Sequence, residues 1–397
     1  MRFDLHRARL FSPCPRGLEP VLAQELAELG ARDPTPLEGG VAYGGDLAVC
    51  YRVNLTSRIA SRVLWQVAEG AYRNGQDVYD AVSSLPWPVW FGPGNTIRVN
   101  VAATRCRLKS LDYVTLRIKD AICDRFRAEQ GRRPDVNTRS PDVRVHAFLD
   151  DRRLVLYLDT SGEPLFKRGL RTASAEAPIR ENLAAGILRL TGWKPGVPLL
   201  DPMCGSGTFL LEAAQMALQI PAGLKRSFAF EKLAFHDPRL WQEVRREAES
   251  RIRRTSPGPI YGADVDAGAV RAAAANLRAA GLIEVVQLHR ADVLELPPPA
   301  PSGILVANPP YAVRLGERDA LGAFYPRLGD ALKARFAGWS VYLLTADLRL
   351  PRLIRLKPTR RVPLFNGALE CRLLEFRMVE GRMEKKRVEG RRDESEG

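Results

Sequence analysis

The segment Asp201–Ala214 reads DPMCGSGTFLLEAA, and no other stretch constrains the fold as strongly. An apolar run closes on an acid (VPLLD, 197–201), glycines 205 and 207 follow, and a helical pattern covers 207–218. Strand, Gly-rich turn and helix in that order make half of a βαβ unit. Glycines in such a turn let the backbone approach a ligand that a Cβ would block. The surrounding chain repeats the alternation. Helices are predicted over Glu181–Leu190 and 266–279, and strands over 259–264 (PIYGAD), 284–289 and 303–307 (GILVA). A polar, Arg-rich helical insertion covers roughly 236–254. Strands separated by helices imply a parallel, doubly wound α/β sheet that binds its ligand at the carboxyl ends of the strands.

The turn is not a nicotinamide fingerprint, because position 210 is Leu where G-x-G-x-x-G needs Gly. Nor is it a P-loop, because no G-K-[ST] follows. An acid ahead of G-x-G suits a cationic ligand, and S-adenosylmethionine carries both an ammonium and a sulfonium. Asp264 ends the next predicted strand, where a carboxylate accepts both hydroxyls of a ribose. Asp292 follows the third, where an adenine amino group would lie. Any one of these acids alone reads as a helix cap, as Asp266 does. Three at successive strand ends form a pattern. The fourth strand ends in Asn308-Pro309-Pro310-Tyr311. An exocyclic amine on a nucleobase is a poor nucleophile because its lone pair is delocalised into the ring. The Asn308 side-chain oxygen and the Pro309 carbonyl can hold its two hydrogens, which localises the lone pair. The prolines fix the backbone, and Tyr311 can stack on a base drawn out of its helix. Without the preceding acids, the same four residues would read as a Pro-Pro turn.

The 397 residues carry a formal charge of +14, and it is unevenly placed. Residues 1–97 are net −1, 98–171 net +7, 172–378 net +8 and 379–397 neutral. Arg supplies most of the surplus, and its forked donors suit a polyanion. In the first segment a helix is predicted over Leu18–Leu29, a short β element over Gly40–Tyr43 and a helix near Leu47–Ile59. After a Trp/Pro-rich break (SLPWPVWFGPGN) come a strand at Thr96–Ala103, a helix at Leu111–Phe126 and a hairpin pairing 143–149 with 153–160. This second unit is expected to present Arg98, Arg105, Arg107, Lys109, Arg117, Lys119, Arg132, Arg133, Arg139 and Arg144 to phosphates. Residues 379–397 are charged and poor in apolar side chains, the composition of a disordered tail.

Other classes drop out. No run approaches 18 apolar residues, and the first residues lack a signal peptide's apolar core. The six cysteines are scattered and the four histidines lack metal-ligand spacing, so reduced thiols, a cytoplasmic setting and no metal are expected.

Asp201-Pro-Met-Cys-Gly-Ser-Gly-x-x-x-Leu-Glu212, NPPY and the upstream APIRENLAAGIL (177–188) together resemble the RlmL (YcbY) family of 23S rRNA guanine-N2 methyltransferases. GLEPVLAQEL, GGVAYGGD (39–46), SRIASRVL (57–64) and LRIKDAICD (116–124) extend the resemblance over residues 10–376. It implies a ferredoxin-like domain (1–70), a THUMP RNA-binding domain (71–170) and a Rossmann-like class I methyltransferase domain (171–378). It also implies that Pro178, Asn182, Asp201, Pro202, Cys204, Gly205, Gly207, Thr208, Asp264, Asp292 and Asn308 line an S-adenosylmethionine pocket. Asn308, Pro309, Pro310 and Tyr311 would handle the guanine, and Arg105, Arg107, Lys109, Lys119, Arg132, Arg133 and Arg139 the RNA. Ala312-Val313 replaces the Gly-Glu common after NPPY. A fused second methyltransferase activity is not expected. The competing readings are a tRNA guanine-N2 methyltransferase and a non-catalytic RNA-binding ribosome-assembly factor. A DNA methyltransferase is disfavoured because the basic half has no duplex-reading motif.

Overall fold

The computed structural model describes residues 5, 7–169, 179–310 and 317–379, with side chains in the last stretch from 322 onward. Pro178, Tyr311, Ala312-Val313 and the charged tail beyond Val379 lie outside the described residues.

The first half builds one seven-stranded sheet from β1 (Ala8–Pro13), β2 (Arg32–Leu37), β3 (Gly40–Gly45), β4 (Leu64–Ala71), β5 (Ile97–Ala103), β6 (Val143–Leu149) and β7 (Arg153–Asp159). Its order is β2-β3-β1-β4-β7-β6-β5. Helices α1 (Glu19–Glu28), α2 (Leu47–Thr56), α3 (Gly75–Ser83) and α4 (Leu111–Gln130) cover it. The sheet is continuous across the boundary expected near residue 70. Strand β4 pairs antiparallel with β1 on one side (Leu10↔Trp65) and with β7 on the other (Leu64↔Asp159).

Local rules account for α4. The Ser110 side chain accepts from the Tyr113 N–H at its start, and Gly131 closes it in the left-handed conformation. Between them Val114, Ile118, Ala121, Ile122 and Phe126 recur at helical spacing and are buried. Strand β2 (RDPTPL) carries two prolines and is mostly exposed, as suits a sheet edge.

Arg144, expected on the phosphate-facing surface, is instead buried and bonded to Glu163 at 2.7 Å. Strand β6 is interior, between β5 and β7, and this side chain anchors the segment that follows β7.

The second half comprises α5 (Glu181–Leu190), β8 (Leu199–Asp201), α6 (Thr208–Ala217), α7 (Pro238–Ser250), β9 (Ile260–Asp264), α8 (Ala267–Ala280) and β10 (Val286–Arg290). It continues with β11 (Gly303–Ala307), α9 (Glu317–Arg335), β12 (Trp339–Thr345), α10 (Leu350–Leu353), β13 (Arg360–Asn366) and β14 (Leu369–Arg377). The sheet order is β10-β9-β8-β11-β12-β14-β13. Strands β10, β9, β8, β11 and β12 are parallel, and β14 and β13 close the edge as an antiparallel hairpin. The chain winds outward from β8 through β9 and β10, then returns to β11 on the other side of β8. That reversal opens a crevice at the carboxyl ends of β8 and β11.

One hydrophobic core spans both halves, running from Leu10, Leu22 and Trp65 to Leu183, Leu211 and Leu373. A second fills the opposite face of the parallel sheet with Leu305, Leu332, Phe336 and Leu343. Polar bonds lock the seam. Glu212 of α6 is paired with Arg58 at 3.3 Å and Arg168 at 2.8 Å, and all three side chains are buried. Within the first half, Glu25 of α1 holds the Arg58 segment in place for that pairing, accepting from Ser57 Oγ (2.6 Å) and the Arg58 N–H (3.0 Å).

Candidate active site

Strand β8 delivers Asp201 to the crevice floor, 1% exposed. Its carboxylate's one hydrogen bond among the described residues comes from the Met203 N–H at 3.3 Å. Burial, with Asp264 nearby, pushes its carboxyl well above the ordinary value of 3.8. A buried carboxylate so poorly bonded is costly unless a cation joins it.

The loop after Asp201 is held from three sides. The Cys204 N–H donates to the Ala263 carbonyl (2.9 Å), the Gly205 N–H to Asp264 Oδ2 (2.9 Å), and the Asn276 side-chain amide to the Ser206 carbonyl (3.0 Å). Gly205 (φ +52°) and Gly207 (φ +83°) both take the left-handed conformation that the turn requires. At Gly207 a Cβ would also come within 3.1 Å of the Ala273 side chain, so α6 and α8 approach as closely as they do only over glycine. Pro202 and Thr208 are buried beside the turn. The Cys204 thiol is buried, and desolvation with the adjoining Asp201 and Asp264 raises its pKa. It packs as an inert side chain.

Asp264 ends β9 and Asp292 lies just beyond β10. Asp264 accepts the Gly205 N–H on one oxygen and the Asp266 N–H (3.0 Å) on the other, and each oxygen keeps a further lone pair for a ligand hydroxyl. Asp292 accepts the Leu294 N–H at 2.9 Å. Asp266 caps α8 through Gly268 and Ala269. Asn308 follows β11 directly and is half-buried, Pro309 is buried and Pro310 exposed. Four adjacent parallel strands therefore bring Asp292, Asp264, Asp201 and Asn308, at or just past their carboxyl ends, to one rim of the sheet.

Asn182 takes a part that its sequence context did not suggest. It is 1% exposed, and its Nδ2 donates to the Ile59 carbonyl (3.3 Å) and Ser61 Oγ (3.1 Å) of the first half. Its Oδ1 has no partner among the described residues. The amide nitrogen thus ties α5 across the seam. Asn276 and Tyr325 support the site from helices, and nothing in their local sequence announced them.

The basic residues do not form one patch. Arg105, Arg107 and Lys109 are exposed ahead of α4, whereas Arg132, Arg133 and Arg139 are exposed after it. A 20-residue helix separates the groups by about 30 Å. Lys119, between them, is half-buried and paired with Asp120 at 2.7 Å. Tyr113 is 50% exposed near the first group, its ring lying over Gly75, where a Cβ would come within 2.6 Å of it. Among the described residues no helix is long and apolar enough to cross a membrane.

Comparison with known proteins agrees with this layout. Three family profiles match in order: an RlmL ferredoxin-like domain at 9–64, a THUMP domain at 72–159 and an RMKL-like methyltransferase domain at 168–375. A Synechocystis sp. protein named "Putative RNA methyltransferase slr0064" is 38% identical over 365 residues, which is 92% of this chain and 95% of the relative. The ribosomal RNA large subunit methyltransferase K/L of Shewanella baltica is 39% identical over 367 residues. That alignment covers 91% of this chain but 52% of the relative, so the chain spans about half the length of the K/L proteins it matches. The crystal structure of "SMU.472, a putative methyltransferase complexed with SAH" superposes with a TM-score of 0.85 at 31% identity, covering 94% of this chain and 98% of that one. The chain belongs to the RMKL-like methyltransferase family, with ferredoxin-like and THUMP domains ahead of a Rossmann-like catalytic domain.

Proposed function

We propose that the chain transfers a methyl group from S-adenosylmethionine to the exocyclic N2 of a guanine in 23S rRNA, acting in the cytoplasm. The observation that carries this reading is the row Asp292, Asp264, Asp201, Asn308 at the carboxyl ends of four neighbouring parallel strands. Asp201 fits the cofactor's ammonium, since a cation relieves a buried and barely bonded carboxylate. The free lone pairs of Asp264 suit the ribose, and Asp292 the adenine end. Pro178, Asn182, Pro202, Cys204, Gly205, Gly207 and Thr208 complete the cradle. When bound, the cofactor supplies an electrophilic methyl on a sulfonium. Asn308 and the Pro309 carbonyl accept the two hydrogens of the substrate amine and localise its lone pair, with Pro310 and Tyr311 shaping the base pocket. One of those protons leaves to water once the nitrogen is alkylated. The relatives named for large-subunit rRNA and the Synechocystis protein named for RNA favour RNA over DNA. The two basic groups flanking α4 suit a backbone that runs along the helix.

Asn308→Ala is expected to abolish methylation while keeping the affinity for S-adenosylhomocysteine. Near-normal turnover in that variant overturns the assigned mechanism. Mass mapping of 23S rRNA and tRNA from a deletion strain is expected to show one N2-methylguanine lost from 23S rRNA. A loss confined to tRNA refutes the substrate.

A further inference from the structure

The residues that handle the substrate amine occupy a turn with few means of holding itself. Pro309 and Pro310 have no N–H, so neither can donate a backbone hydrogen bond. The position of their carbonyls must be fixed from outside. Among the described residues that outside contact is Tyr325 of α9, whose hydroxyl donates to the Pro310 carbonyl.

Tyr325 is well placed to act as an anchor. It is 1% exposed, and Leu328 and Leu332, with Phe336 just past the helix end, bury the same helix against the sheet. Gly329 seats α9 on α10's end so closely that a Cβ would come within 1.9 Å of the Ile354 carbonyl oxygen. That contact fixes the helix one turn beyond the tyrosine. Pro326 follows Tyr325 directly and lacks the N–H that would bond to the carbonyl of Gly322. The helix is therefore pinned on the C-terminal side of Tyr325 and released from its own ladder immediately after it. Burial raises the phenol's pKa, so the hydroxyl stays a donor across the working pH range.

We propose that Tyr325 is a positioning residue for the transfer: its bond to the Pro310 carbonyl fixes the turn that presents Asn308 and the Pro309 carbonyl to the substrate amine. This rests on the role given above to Asn308 and Pro309. The hydroxyl touches neither substrate nor cofactor, so it acts through the geometry of the turn alone.

The test compares Tyr325→Phe, which keeps the packing and removes the hydroxyl, with Tyr325→Leu, which removes both. Activity is read with an unmethylated 23S rRNA transcript and labelled S-adenosylmethionine, binding with S-adenosylhomocysteine, and the turn by hydrogen exchange at the Ala307 and Asn308 amides. Misplaced acceptors are expected to lower kcat of Tyr325→Phe by roughly tenfold to a hundredfold, with KM for RNA and cofactor affinity within about twofold. Exchange at the two amides is expected to quicken at an unchanged melting temperature. Wild-type kcat and exchange in Tyr325→Phe, with loss only in Tyr325→Leu, would assign the residue to packing and overturn the proposal. A fall in cofactor affinity equal to the fall in kcat overturns it too. A wild-type enzyme inert on RNA would refute the substrate instead, and the exchange measurement then decides the anchor by itself.

Discussion

Glu212→Gln is the sharpest test of how the two halves are joined. The glutamate lies one turn into α6, past the Gly-rich loop, and serves the seam. Its carboxylate is 1% exposed and bridges the guanidinium of Arg168, also 1% exposed, and that of Arg58, 10% exposed. Gln keeps the shape and one acceptor but removes the carboxylate that both buried cations share, leaving Glu25 as the remaining acid beside Arg58. Arg58 retains Gln215 Oε1 (3.1 Å) and the Ile220 carbonyl, and Arg168 retains the Arg58 carbonyl (2.9 Å). These carbonyls satisfy donors without neutralising charge. Removing one partner of a buried pair costs about 3–5 kcal/mol. At about 1.4 kcal/mol per tenfold, that is two to three and a half decades in the unfolding constant. The melting temperature is expected to fall by roughly 6–10 °C at about 2 °C per kcal/mol for a chain of this size. Urea unfolding followed by tryptophan fluorescence and circular dichroism measures it. The partly exposed pair Arg189–Glu28 (2.6 Å) is the internal control, and Glu28→Gln is expected to cost no more than about 1 kcal/mol. If Glu212→Gln costs as little as that control, the seam is not an electrostatic lock and the reasoning fails.

Two further outcomes concern ligands. Burial raises the Asp201 carboxyl, so the ligand-free fold favours its protonated form, and its ionisation costs stability as pH rises through that raised value. A cationic cofactor favours the ionised form. Affinity for S-adenosylmethionine should therefore strengthen as pH rises above the ordinary carboxylate range, with a proton released on binding. Calorimetry in two buffers of different ionisation enthalpy reads that proton, and Asp201→Asn should abolish its release. For RNA, replacing Arg105, Arg107 and Lys109 with Ala should flatten the slope of log affinity against log salt by about 2, at roughly 0.7 per single-strand phosphate contact. An unchanged slope would remove those side chains from the interface.

The catalytic half was largely legible because its signals are local. The acid–glycine turn, the Asp266 cap and the β/α alternation each depend on a few adjacent residues, and the described elements follow them closely from α5 to β11. The alternation does not extend to β13 and β14, which form an antiparallel hairpin closing an otherwise parallel sheet. In the first half, β1, β2, β4 and α3 carry no local signal strong enough to mark them. Prolines 34 and 36 are unfavourable in a strand interior, and β4 is specified by two neighbours distant in sequence, at residues 10 and 158–159. Arg144 looked like its exposed neighbours because sequence carries charge but not burial. The structural partners of Asn182, Asn276 and Tyr325 lie 121, 70 and 15 residues away, beyond any local pattern.

The core that runs unbroken from Leu10 to Leu373 has a consequence for selectivity. Two halves sharing one apolar interior and a buried carboxylate between two guanidiniums do not swing independently. The span from the basic ends of α4 to the rim at Asn308 is then a fixed length, which under the proposed function makes the protein a calliper. Under the proposed function, an RNA would be sorted by whether its own folding sets a grippable element and an extrudable base at that one separation. Lengthening the RNA between the two should erase methylation even when the target nucleotide and its neighbours are untouched.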